Sequence, residues 1–345
     1  MTLAPSSPIF QNDDPQPRKR GCLRSCLMLV LGVVLLGLLL SGVGLYLLFR
    51  PIAVPTTEAL ASYATGGLLL VDLDLNDEAL TDLMVDLNPS MAVLREPWLK
   101  GLAAAGIHRE LVFINRLGPN LEDEYAMVMR FPRLWRHIHT LHAQQVAAGH
   151  EPGQVMNGNV VVKQEANGES LATPGGVAFV DVVRLRDDML DLLSNPAQAQ
   201  PPAMDAQHRQ LFDRLTQSTA RARAYMINRD GRLAKDLRND PELFANLSPA
   251  ARNALINEVD ANLQALVGEA TLRDANSLDL KVVLICRSQE AARLVLTYVE
   301  NELLPGIQAS LPDLQVSRVV QQDREVVFQA TLVNIRQHLQ RQPQP

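Results

Sequence analysis

The stretch Glu110–Phe131, ELVFINRLGPNLEDEYAMVMRF, sets the fold class. Apolar and polar residues alternate on either side of its centre, the period of two expected of half-buried strands. It reads as a hairpin of Glu110–Leu117 and Tyr125–Phe131, followed by an amphipathic helix from about Arg133 to Ala148. Upstream, Leu68–Leu75 reads as a strand, with a helix starting near Asp77. Downstream, Asn159–Glu165 and Gly176–Val182 read as a second hairpin, with Asn167-Gly168 as a turn signal, leading to a helix over Leu185–Leu193. Hairpins followed by helices imply antiparallel sheets with helices on one face, an α+β arrangement.

The same order returns beyond Asn195–Ala203, NPAQAQPPA, whose prolines and small polar residues interrupt regular structure. Ala224–Ile227 reads as a strand. Ser248 as N-cap and Pro249 in the first turn open a helix to about Leu266, with Leu255, Ile256, Val259 and Leu263 as its apolar stripe. A hairpin of Glu269–Asp274 and Leu278–Arg287, a helix over Glu290–Leu304, a hairpin of Leu314–Gln321 and Glu325–Leu332, and a helix beginning at Ile335 complete the chain. Val71 and Ile227, Arg130 and Arg287, and Arg186 and Arg336 hold equivalent places, 156, 157 and 150 residues apart. This repetition of element order implies an internal duplication, with two similar antiparallel-sheet-plus-helix halves.

Ahead of these halves, Leu27–Phe49 reads LMLVLGVVLLGLLLSGVGLYLLF, 23 residues without a charge. As a helix it is roughly 34 Å long, enough to cross a hydrocarbon core of about 30 Å. Arg18, Lys19, Arg20 and Arg24 precede it, and no charge follows Arg50 until Glu58. The positive-inside rule therefore puts the N-terminus in the cytoplasm and the rest outside. The apolar run exceeds a signal peptide's 7–15 residues, and the cleavage-like Ala59-Leu60-Ala61 lies ten residues beyond it. The expected organisation is a disordered basic cytoplasmic tail (1–26), a transmembrane helix (27–49), a first half (50–195), a linker (196–210) and a second half (211–340). Gly37 and Ser41 form a small-xxx-small pair in the span, which is read as an ordinary lipid-facing feature.

Composition limits function. Net charge is −6, aromatics are 4%, and the basic residues cluster only before the apolar run, which argues against nucleic acid as a partner. Beyond Arg50 there are 27 basic and 36 acidic residues, so charge does not hold this region to anionic lipid heads. Cys286 is alone on its side of the membrane and reads as a buried, inert thiol, while Cys22 and Cys26 precede the span.

Five groups of residues are candidates for chemistry. In His137-Ile-His139-Thr-Leu-His142, His139 and His142 are three apart on one helical face, as metal ligands can be, whereas His137 points about 200° away from His139. The apolar stripe of Ile138, Leu141 and Val146 leaves these histidines mostly on the wet side. Asp72, Asp74, Asn76 and Asp77 resemble the start of a calcium loop, but Asp77 and Leu83 stand where Gly and Glu are needed. The structural reading has Asp72 and Asp74 facing water, Leu73 and Leu75 facing the core, and Asn76 capping the next helix. Gly66-Gly67 and Gly175-Gly176 precede strands rather than open helices, the wrong order for phosphate binding. The strand-ending Arg130 and Arg287, with Arg186 and Arg336, are taken as local ion-pair partners. Asn246-Leu-Ser248 is a formal glycosylation sequon.

No cofactor motif or nucleophile elbow is found. The expectation is a non-enzymatic binding or scaffold domain of a bacterial envelope, anchored by one span in the inner membrane and lying on the periplasmic side. Its partner is another protein or an envelope component. The alternative is an extracytoplasmic metal-dependent enzyme using the His137–His142 region.

Overall fold

The computed structural model describes residues 41–345 except 65–69, 75–76, 88–94, 96–109, 118–122, 132, 232–233, 236–237, 239–247, 275 and 336–345. Residues 51–345 form one compact unit and residues 1–50 another. The expected span falls mostly outside the described residues. Its end, 41–49, is helical, and no described helix is long and apolar enough to cross a membrane.

The protein is α+β, and its described residues build one antiparallel sheet of twelve strands. In chain order these are β1 (Leu70–Asp74), β2 (Glu110–Leu117), β3 (Asp123–Arg130), β4 (Gln154–Met156), β5 (Val160–Glu165), β6 (Gly168–Thr173), β7 (Gly176–Val180), β8 (Ala222–Ile227), β9 (Leu263–Asp274), β10 (Ser277–Cys286), β11 (Leu314–Gln322) and β12 (Glu325–Leu332). Among the described residues beyond Arg50 the helices include α1 (Thr57–Ala61), α2 (Glu78–Leu87), α3 (Trp135–Ala147), α4 (Val183–Ser194), α5 (Ala206–Gln217), α6 (Pro249–Asn262), α7 (Gln289–Tyr298) and α8 (Leu304–Ser310). A π turn over Val299–Leu303 joins α7 to α8. Pro305 in the first turn of α8 lacks an N–H to donate back, so the helix widens just ahead of it.

Across the sheet the order is β11-β12-β10-β9-β8-β1-β2-β3-β7-β6-β5-β4. The central pair, β1 with β8, sets Leu70 opposite Tyr225 and Asp72 opposite Arg223. Outward from it the order is β1-β2-β3-β7-β6-β5-β4 on one side and β8-β9-β10-β12-β11 on the other.

Helices cover both faces, not the single face that the hairpin–helix order implies. The front face carries Leu70, Ile114, Val128, Tyr225 and Val267, and packs on Leu60 of α1, Leu185, Met189 and Leu192 of α4, and Leu211, Phe212 and Leu215 of α5. On the back face, Val85 of α2 meets Leu73 and Leu111, and Val146 of α3 meets Val161 and Ala172. Also on the back, α7 packs Ala291, Ala292 and Val295 against Cys286 and Val326. A sheet between two helical layers buries both sides of its strands, so alternation alone does not say which side is the larger core.

Asp72 does not face water: it lies on the front face beside the main core, 5% exposed, and Arg223 satisfies it. Leu73 packs on the back, and Leu75 lies outside the described residues. Asp77 caps α2, its Oδ1 accepting from the Ala79 and Leu80 N–H groups, each at 3.1 Å, and Asn76 lies outside the described residues.

Other boundaries also move. Between the strands of the expected Asn159–Val182 hairpin the chain makes an extra strand, β6, and β4 precedes the pair. The last five residues of the stretch 196–210 are helix rather than linker, because Asp205 caps α5 by accepting from His208 N–H at 2.8 Å. The α6 helix stops at Asn262 and β9 starts at once, a register shift at its outer pairing with β10 setting Leu263 opposite Cys286 in the back cluster. The Glu290–Leu304 helix extends to Ser310 through the π turn.

Gly175-Gly176 is a tight approach rather than a flexible entry. A Cβ at Gly176 overlaps the Met129 carbonyl oxygen of the neighbouring strand. Gly176→Ala is expected to lower stability by about 2 kcal/mol, the cost of forcing two strands apart, read as a shift of the urea midpoint. Gly66-Gly67 lies outside the described residues.

Candidate binding surfaces on the sheet

The front face changes character along its strands. At one end its residues are the apolar core under α1, α4 and α5. At the other, charged residues follow the same strands in cross-strand register: Asp72 on β1, Arg223 on β8, Glu269 on β9, Lys281 on β10 and Gln329 on β12 are successive partners. Signs alternate along the row, so neighbours attract. Arg223 bonds Asp72, and Lys281 Nζ lies 3.1 Å from Glu269. One step nearer the strand ends, Arg221 bonds Asp74 at 2.6 Å, Arg273 reaches Asp279 at 3.0 Å, and Asp279 accepts from the Thr331 hydroxyl at 2.7 Å.

Beyond the C-terminal end of α5 this charged floor is open. It forms a groove of about 640 Å³, walled by Arg214, Gln217 and Ser218 and floored by Thr271, Lys281 and Gln329. Arg214 forms a two-pronged bridge to Glu325, at 2.6 and 3.0 Å, pinning α5 to the β11–β12 hairpin. On the other side of that bridge lies a second groove of about 840 Å³, with Leu211, Ala265 and Ile285 among its lining. Both are concave, solvent-open and hydrogen-bonding, suited to an extended polar partner rather than to a small molecule sequestered from water.

Arg130 ends β3 buried, its Nη1 donating to the Pro55 carbonyl and its Nη2 to Thr57 Oγ1, each at 2.9 Å, and it also pairs with Glu110. Burial lowers its pKa. It thereby staples the segment leading into α1 onto the sheet. Arg287 donates to the Asp260 carbonyl at 3.4 Å, and Arg186 bonds both oxygens of Glu169 as well as Asp187. Arg336 lies outside the described residues.

The histidines are not all on the wet side. His139 is 2% exposed, and its Nε2–H donates to the Asn159 carbonyl at 2.8 Å. Burial pushes its pKa down. His142 is half-buried and turns to Glu151, with Nε2 at 3.3 Å. His137 accepts from Arg136 Nε at 3.2 Å. Among the described residues no group of three or more His, Cys, Asp or Glu side chains is arranged to hold a metal ion. Asn246 is outside the described residues.

One buried polar pair escaped the sequence reading: His208 on α5 and Tyr225 on β8, with Nε2 and Oη 2.5 Å apart under the front core. Burial lowers the His208 pKa to about 4 and raises that of Tyr225. Only the position of His208 among Leu211, Phe212 and Leu215 on one helical stripe hints at it. Cys286 is fully buried, and desolvation pushes its thiol up to about 11, far from a reactive thiolate.

No family model and no curated protein matches the chain. Among solved structures it is similar to the one described as "Structure of crystal form IV of TP0453", with a TM-score of 0.45 and 12% identity over 84% of this chain and 95% of that one.

Proposed function

We propose that the protein is a membrane-tethered, non-enzymatic binding domain of a bacterial envelope. Leu27–Phe49 crosses the inner membrane with the N-terminus in the cytoplasm, and residues 51–345 stand outside and recognise another protein or an envelope component. The uncharged 23-residue run and the four basic residues ahead of it support the topology. So do the side chains of 41–49, where Val43, Leu45, Tyr46 and Leu47 are 48–65% exposed on a helix, as lipid-facing residues are. The cleavage-like Ala59-Leu60-Ala61 lies in α1 with Leu60 and Ala61 fully buried, which favours an anchor that is retained.

Two duplicated halves fit the strand order that repeats outward from the β1–β8 pair. The single observation that carries the binding reading is the open groove over the charged front floor. Its cations and anions are already matched, so it prefers a partner offering hydrogen bonds of both senses to one that is strongly charged.

The test is in-cell photocrosslinking of the full chain with the crosslinking residue at Thr271, on the groove, or at Leu141, exposed on α3 of the back face. A reproducible envelope adduct from position 271 and not from 141 is expected. Equal adducts from both, or none from 271, overturn the groove as the docking surface.

A further inference from the structure

On the back face, away from the groove, α6, β9, β10, α7 and the π turn enclose a second kind of space. It is a cavity of about 190 Å³ whose accessible lining is wholly apolar. Val259 from α6, Leu266 and Leu284 from the sheet, and Val295, Val299 and Leu303 from the α7 side form most of it. Three features meet here. The cavity is larger than the roughly 150 Å³ apolar cavity that accepts benzene or xenon in another protein. Its wall includes the π turn, Val299–Leu303, a widened backbone of the sort that often accompanies binding sites. Glu258 lines it with its apolar stem only, and its half-buried carboxylate, held by the Asn262 amide at 2.6 Å, lies beside the cavity rather than in it.

We propose that this cavity is a binding site for one short, uncharged aliphatic chain of about six to eight carbons, scaled from the volume that accepts benzene. The apolar lining gives affinity through burial, and specificity lies at Glu258. An anionic head group brought beside that carboxylate is repelled, whereas a hydroxyl can donate a hydrogen bond to it. Fatty alcohols are therefore preferred to fatty acids of equal length.

Residues 51–345 contain every member of the described core clusters and are used alone, with their fold verified by circular dichroism. Methyl NMR follows titration with 1-hexanol and with hexanoate. Saturable shifts confined to methyls such as those of Val259, Leu284, Val295 and Val299 are expected with hexanol, with hexanoate at least tenfold weaker. Glu258→Gln is expected to bring hexanoate to within about threefold of the alcohol, and Leu266→Trp to abolish both. Xenon under pressure needs no variant and reports on the cavity even if the tryptophan variant fails to fold. Absence of saturable shifts with both xenon and hexanol overturns the site. Equal binding of hexanol and hexanoate by the unaltered protein overturns the role of Glu258.

Discussion

Arg223→Met is expected to destabilise residues 51–345 by about 3 kcal/mol, and adding Asp72→Leu to restore most of that loss. The asymmetry comes from desolvation. Asp72 is 5% exposed, and Arg223 is its hydrogen-bonded counter-ion, anchored in turn by Nη1 on the Ser218 carbonyl at 3.2 Å. Removing the arginine strands a carboxylate beside the core, whereas removing both charges leaves apolar surface where the strands already pair. The figure sits at the low end for a broken buried pair because Arg223 is 22% exposed and the Arg130 guanidinium still acts on Asp72. Urea unfolding of the two variants decides it. A single variant that loses less than about 1 kcal/mol, or a double variant no better than the single, shows the pair to be dispensable.

Acid is expected to weaken the fold through His208 before the carboxylates titrate. The folded pKa is about 4, below the ordinary value of 6.5, so between those values the unfolded chain binds a proton that the native imidazole refuses. The contribution is therefore fully present above pH 6.5 and is lost as pH falls towards 4, by at most about 3 kcal/mol. Urea midpoints between pH 7 and 4.5 measure the slope. In His208→Gln, which has no proton to gain, the curve over this range is expected to flatten. An unchanged slope in that variant assigns the acid sensitivity elsewhere.

Much of the sheet was legible because its strands announce themselves by period. The β2 strand and the β12 strand begin and end where alternation does, at Glu110–Leu117 and Glu325–Leu332. The β6 strand escaped because GESLAT has little β-branched or aromatic character and is held instead by its neighbours β5 and β7. The α5 helix was hidden by the prolines before it, although Asp205 and the Leu211, Phe212, Leu215 stripe carry its cap and its buried face.

The candidate sites were less legible still. Period locates a strand but not which of its faces meets the larger core, and so Asp72 was set on the wrong side. His139 went astray by the same limit on α3, whose buried side depends on where β5 lies. Leu255, Val259 and Leu263 were visible as a stripe. The cavity they border depends on α6 ending one residue before Leu263 and on Pro305 widening the facing helix, and neither is a matter of period.

The seam between β1 and β8 also bears on how the protein is made. Leu70 waits some 155 residues of synthesis for Tyr225, its partner across the centre of the sheet. Until then β1 is a free edge, with Val71 and Leu73 on one side and Leu70 on the other, open to any passing strand. Contacts between residues so far apart in the chain form slowly, and the strands already made stay exposed to mispairing meanwhile. Nascent chains halted shortly before Arg221 are the ones expected to engage chaperones, and chains extended past β9 to release them. The hazard is therefore set by the order in which the ribosome supplies the strands, and it ends when the seam closes.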